Sequence, residues 1–432
     1  MFGLVDCNSF FASCEKVFVP RLRNLPVIVL SNNDGCVVAR SPEAKKLGIA
    51  MGVPFFQIER KCQELGITVF SANFPLYSNM SRRVMNTLRQ WCPDVQVYSI
   101  DEAFLKLDGV ENAETETFQR QVIETVWKWT GIPVSFGVGP TKTLAKIATH
   151  IAKTREVGCF TINDSGQLQE LLPRIPVSDV WGIGHRTARV LTARGVRTAW
   201  DLYLQNPIQI RHDFSVCQER TVRELRGESC LDFEDFAAPR NSIQHSRSFG
   251  TTITDVDTLA EPVSTFLETV MERLRRYGKY TNAVWLSLYG YTCDAGDPHD
   301  RRPYSEGVTI PLETGTDDTL TVLPCVLRKL RKAFRSDVFY QKAGVTLMGL
   351  SSVPDADKYR MFQTPEEQEA TDRKTETHQK LMGVLDALHQ KLGRKSIVFA
   401  SEGLGKEPEW QSRHERRSPE YTTCWEEIPT VK

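Results

Sequence analysis

The chain has 432 residues, of which 41% are hydrophobic and 25% are charged, and it carries 54 basic and 54 acidic side chains. This length and composition predict roughly two to four globular domains with ample core. The charge balance excludes a uniformly basic nucleic-acid-binding surface, so any contact with DNA must come from local basic clusters.

The cysteines and the apolar segments indicate the compartment in which the protein works. The 11 cysteines include no Cys-x-x-Cys pair, which excludes a zinc ribbon and a thioredoxin-type site. A disulfide framework is unusual in a chain this long, so we expect a reducing compartment. Asp6 and Glu15 interrupt the apolar N-terminus too early for a signal peptide, and no apolar run is long enough to cross a bilayer. We therefore expect a soluble cytoplasmic protein.

Strand and helix patterns alternate through the first part of the chain. An apolar strand ends at Asp6 and leads into a helix that begins before residue 20. Residues 24–30 are a continuous apolar run typical of a buried strand, and Ser41, Pro42 and Gly48 are the start and stop signals of a short helix. We then predict helices at 76–92, 116–129 and 142–153, a hairpin at 95–107, and strands at 134–138 and 158–162. This interleaving fits an α+β domain.

The rest of the chain is predicted to be helical, then mixed, then polar. Helical patterns dominate residues 166 to about 235, and a linker follows at 237–245. Between 246 and 350 the pattern predicts two basic helices and strands at 284–291, 307–312 and 342–349. Beyond residue 351, four leucines follow the spacing i, i+4, i+7, i+11 and predict a helix with one buried face. These are Leu381, Leu385, Leu388 and Leu392.

Three carboxylates carry the strongest chemical signal. Asp101 and Glu102 are adjacent within an apolar strand pattern, and Asp6 ends the first strand. Carboxylates at close range repel each other, so one must be protonated or a cation must lie between them. Two strands that deliver three carboxylates to one point would form a hard-oxygen site suited to Mg²⁺ and to phosphoryl or nucleotidyl transfer. The alternative interpretation is a strand end with solvated acids.

Several motifs, in order along the chain, carry a family resemblance. They are Asp6–Phe11, Ser31–Arg40, Val97–Phe104, Val180–Gly184, Ser246–Gly250 and Ser418–Thr423. Together they resemble the Y-family translesion DNA polymerases and, within them, the UmuC-type catalytic subunits of bacterial DNA polymerase V. The resemblance extends over nearly the whole chain.

The resemblance implies an α+β, right-hand polymerase fold. Its expected parts are a ferredoxin-like palm at 1–20 and 71–165, small fingers at 21–70, a helical thumb with a helix-hairpin-helix at 166–236, a linker at 237–245, a βαββαβ-like little finger at 246–350 and a C-terminal partner-binding region at 351–432.

The resemblance also assigns roles around the carboxylates. Asp6 and Asp101 would bridge two Mg²⁺ ions, Glu102 would hold the ion that activates the primer 3′-hydroxyl, and the backbone carbonyl of Cys7 would complete the other ion's site. Phe11 occupies the steric-gate position, where an aromatic ring leaves no room for a 2′-hydroxyl. Polymerase V relatives usually carry Tyr there. The alternative for Phe11 is an ordinary core aromatic.

Lys153, Lys45 and Arg40 are the candidates for binding the triphosphate as positive charges. Lys153 matches a family lysine at the end of the palm helix, and Lys45 lies where many relatives carry Arg. Family members often have Thr and Tyr just before that position, but this chain has Ala39 and Pro42. We expect Arg40 to substitute for them. The alternative for each lysine is an ordinary surface position.

Contacts with the DNA duplex are expected from two further segments. Gly182 and Gly184 lie in a predicted helix-hairpin-helix, whose backbone N–H groups would hold a DNA phosphate. A dinucleotide-binding loop is excluded there, because helices surround the glycines and no βαβ unit follows. Arg247 is the strongest candidate in the little finger. Two basic clusters add to it: Arg273, Arg275, Arg276 and Lys279, and Arg328, Lys329, Arg331, Lys332 and Arg335.

The preferred hypothesis is error-prone, template-directed translesion DNA synthesis in the bacterial SOS response. The resemblance implies an assembly with a dimer of cleaved UmuD-type protein and activation by RecA filaments, and nucleoid association of the active enzyme. A sliding-clamp motif is weak, because Lys358–Phe362 keeps the apolar pair but lacks the family's glutamine. Two alternatives remain at this point: a non-catalytic DNA-binding scaffold, and a nucleotide cyclase with a similar palm.

Overall fold

The structure, a computed structural model of the full chain, describes residues 1–110, 115–231, 233, 241–294, 297–352, 364–393, 396–403, 408 and 410–429. It divides into two compact units. The first combines Met1–Ala238 with His414–Lys432, and the second contains Pro239–Arg413. The predicted C-terminal region is thus shared between the two units. Over the described residues, no helix combines the length and apolar character needed to span a bilayer.

The described strands and α-helices of the first unit all lie before residue 226. Its described strands are β1 (Phe2–Cys7), β2 (Val27–Leu30), β3 (Val37–Arg40), β4 (Thr68–Ser71), β5 (Val95–Val97), β6 (Glu102–Lys106), β7 (Val134–Gly139) and β8 (Cys159–Thr161). Its described helices are α1 (Phe10–Phe18), α2 (Pro42–Lys46), α3 (Phe55–Glu64), α4 (Phe74–Leu88), α5 (Glu116–Thr130), α6 (Lys142–Thr154), α7 (Ser165–Leu171), α8 (His185–Ala193), α9 (Ala199–Leu204), α10 (Pro207–Asp213) and α11 (Val216–Leu225).

A five-stranded sheet in the order β5-β6-β1-β7-β8 forms the centre of the first unit. Strand β1 lies antiparallel to both of its neighbours, β6 and β7. Because side chains alternate between the faces of a strand, Val5 packs with Val84 of α4 and Val126 of α5, whereas Leu4 packs with Ala145 of α6. Helices therefore cover both faces of β1, which explains its continuous apolar sequence.

Helix α6 approaches β7 closely at Gly137. A Cβ atom at this position would lie 2.1 Å from the backbone nitrogen of Thr149 and 2.6 Å from the carbonyl oxygen of Ala145. Only glycine permits this contact, so Gly137 fixes the distance between α6 and the central sheet.

The first unit also contains a separate three-stranded sheet in the order β3-β2-β4. Strand β2 is antiparallel to β3 and parallel to β4. The short helix predicted after Ser41 is confirmed as α2, because the Ser41 hydroxyl accepts a hydrogen bond from the backbone N–H of Ala44 and Pro42 opens the helix. The apolar side chains of this sheet and of α2 and α3 form a separate small core.

Helices α7 to α11 pack on one another and on α6. Their buried leucines and valines join Ile147 and Ile151 of α6 in one cluster. The helical pattern predicted from residue 166 is confirmed as far as Leu225.

The second unit is an α+β module of its own. Its described elements are β9 (Ser242–Ile253), α12 (Val256–Arg276), β10 (Thr281–Asp294), β11 (Asp297–Thr316), α13 (Thr319–Ala333), β12 (Val338–Met348) and α14 (Pro365–Leu392). The strands form an antiparallel sheet in the order β11-β10-β12-β9. Helices α12 and α13 pack on it through one buried cluster. The chain order from β9 to β12 is the predicted βαββαβ order.

Helix α14 forms where the leucine spacing predicts one, but its buried face is different. Met382 and Leu385 are buried together with His389, whereas Leu381 and Leu392 are 50% and 63% exposed. The predicted stripe is confirmed for Leu385, half-buried at Leu388 and wrong for Leu381 and Leu392, because polar groups decide the orientation of the helix. Asp386 and His389 turn towards α12, where they meet charged side chains of that helix.

Candidate active site

The register between β1 and β6 brings the three predicted carboxylates to one end of the central sheet. Asp6 lies directly opposite Glu102 in this antiparallel pair. At the next position the backbone N–H of Cys7 donates to the carbonyl oxygen of Asp101 at 2.8 Å. Opposed residues on antiparallel strands share a face with their Cβ atoms about 5 Å apart, so the side chains of Asp6 and Glu102 lie side by side. Asp101 lies close enough to Cys7 for its charge to raise the pKa of that thiol, as the charges of Asp6 and Glu102 also do.

Two lysines of α6 neutralise two of the carboxylates. Lys153 Nζ lies 2.5 Å from Asp6 Oδ1, and Lys146 Nζ lies 3.0 Å from both carboxylate oxygens of Glu102. The two lysines are seven residues apart and therefore lie on the same face of the helix. The sequence predicted Lys153 but not Lys146; the seven-residue spacing was the available signal.

A serine shapes the turn that carries Asp101 and Glu102. The Ser99 hydroxyl accepts hydrogen bonds from the backbone N–H groups of Asp101 and Glu102, at 3.2 and 3.0 Å. It also donates to Asp101 Oδ1 at 2.5 Å. These bonds fix the direction of the Asp101 carboxylate.

Burial gives the site its electrostatic character. It raises the pKa of Asp6 to about 7, with Lys153 opposing the shift and Glu102 adding to it. Burial also raises the pKa of the Cys7 thiol, and Asp6 and Asp101 raise it further. Cys7 therefore stays protonated, so its backbone oxygen, not its sulfur, is the group suited to a hard cation. Carboxylate and carbonyl oxygens are the ligands that Mg²⁺ prefers, and this donor set fits that ion.

A cavity of 270 Å³ opens beside the carboxylates. Asp6, Glu102, Lys146 and Lys153 line it, and it reaches Trp181. Trp181 of this lining directly precedes Gly182 in the sequence.

Phe11 is half-buried on α1, and its ring contacts other aromatic rings. Its ring stacks on Tyr77 with a centroid distance of 4.5 Å and an interplanar angle of 15°, and Phe74 meets it edge-on at 6.1 Å. The Tyr77 hydroxyl donates to Glu15 Oε1 at 2.6 Å, and the Ser418 hydroxyl donates to the same oxygen at 3.1 Å.

The sequence analysis missed the residues behind Phe11. Tyr77 lies in a helix whose pattern reads as ordinary core, and Glu15 is fully buried although its residue type is usually exposed. Ser418 lies in a recognised motif, but it is separated from Glu15 by 403 positions. No local signal in the sequence joins these three side chains.

The candidate triphosphate residues form a group near Asp6. Burial lowers the pKa of Lys45, and the positive charges of Arg40 and Lys153 lower it further, while Asp6 opposes the shift. The Arg40 guanidinium donates to the carbonyl oxygen of Ile49. Arg40 and Lys153 therefore lie close enough to Lys45 for their charges to act on it.

The candidate DNA-binding residues lie in both units. Gly182 has a φ of +86°, and a Cβ atom there would lie 2.7 Å from Thr221 Oγ1, so the turn requires glycine. Gly184 is the N-cap of α8. Among the described residues, no atom lies within 4 Å of the position that a Cβ atom would take there. Arg247 is exposed on β9 of the second unit.

The first predicted basic cluster is largely engaged within the protein. Arg275 forms a two-pronged ion pair with Asp386 at 2.7 Å and has a 9% exposed side chain. Arg276 pairs with Glu272. The prediction that this cluster contacts DNA is therefore wrong for Arg275. In the second cluster Arg328, Lys329 and Lys332 are exposed.

Comparison with known families gives matches along most of the chain. Residues 5–150 match the impB/mucB/samB family, and residues 240–360 match the C-terminal domain of that family. Residues 379–431 match a domain of unknown function, DUF4113.

Three relatives align with the chain over their whole length. The chain is 40% identical to Protein UmuC and 42% identical to Protein ImpB, both of Salmonella typhimurium, and 35% identical to Protein MucB of Escherichia coli. Each alignment covers 100% of both chains.

Solved structures show the same fold. A chimera of the Y-family DNA polymerases Dbh and Dpo4 superposes with a TM-score of 0.64 at 21% identity, covering 81% of this chain and 99% of the other. An insertion ternary complex of Dbh DNA polymerase superposes with a TM-score of 0.53 at 21% identity, covering 81% and 98%.

Proposed function

The chain belongs to the impB/mucB/samB family of Y-family DNA polymerases, and we propose that it adds deoxynucleotides to a primer 3′-hydroxyl at Asp6, Asp101 and Glu102. The reaction is template-directed, error-prone translesion synthesis in the bacterial SOS response. The protein is a DNA-directed DNA polymerase.

The observation that carries the assignment of the site is the register of β1 and β6. It sets Asp6 opposite Glu102, with Asp101 bonded to the next residue of β1. The alternative of a strand end with solvated acids does not account for the burial of Asp6, which raises its pKa to about 7. It also does not account for the ion pairs of Lys146 with Glu102 and of Lys153 with Asp6. The arrangement is that of a cation site held rigid by two paired strands.

Mg²⁺ fits the donor set, and we propose two ions held by Asp6, Asp101, Glu102 and the Cys7 carbonyl. When bound, they would lower the pKa of the primer hydroxyl and neutralise charge on the triphosphate and the departing pyrophosphate. Ser99 fixes the direction of the Asp101 carboxylate by its 2.5 Å hydrogen bond. Lys146 and Lys153 hold the carboxylates of Glu102 and Asp6 in place without the ions.

Lys45, Lys153 and Arg40 are proposed to bind the triphosphate. Burial lowers the pKa of Lys45, and repulsion by the positive charges of Arg40 and Lys153 lowers it further. A polyanion placed among them would relieve the repulsion, which gives the group its preference for a nucleoside triphosphate.

Phe11 is proposed to select deoxyribose. Its ring is backed by Tyr77, so it has little freedom to move away from a sugar that meets its other face. A 2′-hydroxyl pressed against a fixed ring is excluded by steric clash.

Gly182, Gly184 and Arg247 are proposed to contact the DNA backbone. The backbone N–H groups in the first turn of α8 suit a phosphate, and Arg247 offers an exposed guanidinium. Contacts of this kind carry no sequence information, as a polymerase for any template requires.

Partner proteins are proposed on family membership alone. They are a dimer of cleaved UmuD-type protein and a RecA filament, with the enzyme acting in the cytoplasm on nucleoid DNA. The weak clamp motif at Lys358–Phe362 lies outside the described residues, and clamp binding is proposed only as an additional contact.

The test is primer extension with Mg²⁺ and four dNTPs on intact and abasic templates, with and without the UmuD-type partner and RecA filaments. Asp101→Asn should abolish extension while DNA affinity is retained. Asp94→Asn is the matched control, because Asp94 is exposed on the same hairpin, and it should extend like wild type.

Two outcomes would overturn the proposal. Full extension by Asp101→Asn would remove the chemistry from the β1–β6 site. DNA binding without extension by wild type under every condition would instead favour the scaffold alternative.

A further inference from the structure

A second group of ligand-type side chains is buried in the other unit. Glu268 and Glu272 are four residues apart on α12 and therefore share a face of that helix. His389 of α14 points to the same place, and the ligand atoms of all three residues lie within 4.8 Å of one another. Exposure is 5% for Glu268, 7% for Glu272 and 6% for His389.

A hydrogen bond to a backbone carbonyl fixes the orientation of the His389 ring. Its Nε2 lies 2.8 Å from the carbonyl oxygen of Ile397. A carbonyl only accepts hydrogen bonds, so Nε2 carries the proton, and the lone pair of the neutral ring is on Nδ1. A backbone carbonyl on one ring nitrogen is the usual partner of a histidine whose other nitrogen binds a metal.

The other ring nitrogen faces a carboxylate that cannot satisfy it. His389 Nδ1 lies 3.5 Å from Glu268 Oε1, which is too far for a normal hydrogen bond. Within the part of the chain that the structure describes, neither atom has a hydrogen-bond partner. A buried lone pair and a buried carboxylate oxygen thus point at each other across a gap, an arrangement that is unfavourable without a cation or a proton.

The surrounding charges add to the negative potential. Glu402 and Glu272 lie close enough to Glu268 for their negative charges to act on it, and His389 and Arg275 act on it with the opposite sign. Arg275 directs its guanidinium to Asp386, and Arg276 donates to Glu272 Oε1 at 2.7 Å. Glu402 and Glu272 thus add negative charge close to Glu268, and the hydrogen bonds of the two arginines go to Asp386 and Glu272.

We propose that Glu268, Glu272 and His389 form a binding site for a divalent transition-metal ion of the Zn²⁺ class. An imidazole nitrogen with carboxylate oxygens suits Zn²⁺, whereas Mg²⁺ and Ca²⁺ prefer oxygen ligands alone. Three protein ligands leave a fourth position for water or for the neighbouring Glu402.

The ligands of this site come from two segments that match different family models. Glu268 and Glu272 lie within the impB/mucB/samB C-terminal domain, and His389 lies within the domain of unknown function. A bound ion would tie α14 to α12, beside the Arg275–Asp386 pair and the apolar contacts of Met382 and Leu385. Its role is therefore structural: it locks the start of the domain of unknown function onto the second unit.

The test is Zn²⁺ titration of the full-length, metal-free protein, with excess Mg²⁺ present to occupy the all-oxygen site of the first unit. We expect one Zn²⁺ per chain and a rise in Tm of several degrees with the ion. Co²⁺ should give visible ligand-field bands. Glu268→Gln and His389→Gln keep side-chain size and should lose the bound ion, the Tm shift and the bands.

The control is His378→Gln on the same helix, since His378 pairs with Asp318 and lies outside the cluster. It should bind Zn²⁺ like wild type. Absence of Zn²⁺ binding by wild type, or equal binding by wild type and the Glu268 and His389 variants, would overturn the proposal. Asp101→Asn should bind Zn²⁺ normally, which separates this test from that of the polymerase site.

Discussion

At the scale of single residues, the environment of Phe11 explains more than its residue type does. A phenyl ring in this position could be ordinary core, but here it is half-buried and stacked flat on Tyr77. Tyr77 is held in turn by Glu15, a fully buried carboxylate. The selectivity proposed for one aromatic ring therefore depends on a polar network behind it.

Replacing Phe11 by Ala should relax sugar selection. With the ring gone, a 2′-hydroxyl no longer meets a fixed surface, and the preference for dNTP over rNTP should fall by about tenfold or more. Single-nucleotide incorporation with matched dNTP and rNTP measures the ratio. Phe56→Ala is the control, because Phe56 is 78% exposed; an unchanged ratio in Phe11→Ala would show that the ring is only core.

Glu15 should make the stability of the first unit depend on pH. Burial raises its pKa from 4.5 to about 7, so the native state binds the proton more tightly than the unfolded state. Its stabilising contribution is complete below pH 4.5 and is lost as the pH rises through 7, a loss of about 3 kcal/mol.

Glu15→Gln removes this titration. The free energy of unfolding of the variant, relative to wild type, should therefore rise with pH across that interval, as measured by urea denaturation. A difference that is constant with pH would contradict the buried, protonated state of Glu15.

At the scale of elements, the position of α6 determines the site. This helix delivers Lys146 to Glu102 and Lys153 to Asp6, and its distance from β7 is set by Gly137. Tight packing of helix on sheet leaves no room for a methyl group there.

Gly137→Ala should displace α6. The clash with the backbone of Thr149 is expected to destabilise the first unit by roughly 1–3 kcal/mol and to reduce nucleotide incorporation. Gly383→Ala is the contrasting control, since α14 has open space there and alanine favours a helix, so stability should rise by about 0.5–1 kcal/mol. Equal effects of the two substitutions on stability would show that the contact at Gly137 is not restrictive.

The elements also show what local sequence can predict. The Ser41 cap, the hairpin of Asp101 and the helix that carries Lys153 follow from short-range patterns, and all three are present. The buried face of α14 does not follow, because the partner of Asp386 is Arg275, 111 positions away. The leucine spacing predicts that this segment is a helix, but the neighbouring element determines which face of the helix is buried.

At the scale of the whole molecule, the C-terminal segment His414–Lys432 packs as part of the first unit. Beyond Arg413 the backbone returns, and the Arg416 N–H donates to Ser71 Oγ at 2.9 Å. Tyr421 stacks on Phe18 at 4.8 Å, and Ser418 reaches Glu15. Contacts between the two ends of a chain leave no local trace in sequence, which is why the tail was predicted only as a partner-binding region.

Ser418→Ala should weaken the first unit. The substitution removes a buried hydroxyl that donates to Glu15 and accepts from Asn73, so a loss of about 1–3 kcal/mol is expected. Urea denaturation measures it against Ser396→Ala, an exposed serine of the second unit whose loss should stay within about 0.5 kcal/mol. A neutral Ser418→Ala would show that the returning tail does not stabilise the unit.

The most direct test of the central claim is the single-turnover rate at which one complementary dNTP is added to a primer in Mg²⁺. The register that sets Asp6 opposite Glu102 predicts that Asp6→Asn lowers this rate by at least about a hundredfold, with DNA affinity unchanged and Asp94→Asn at the wild-type rate. Incorporation by Asp6→Asn at the wild-type rate would contradict the account.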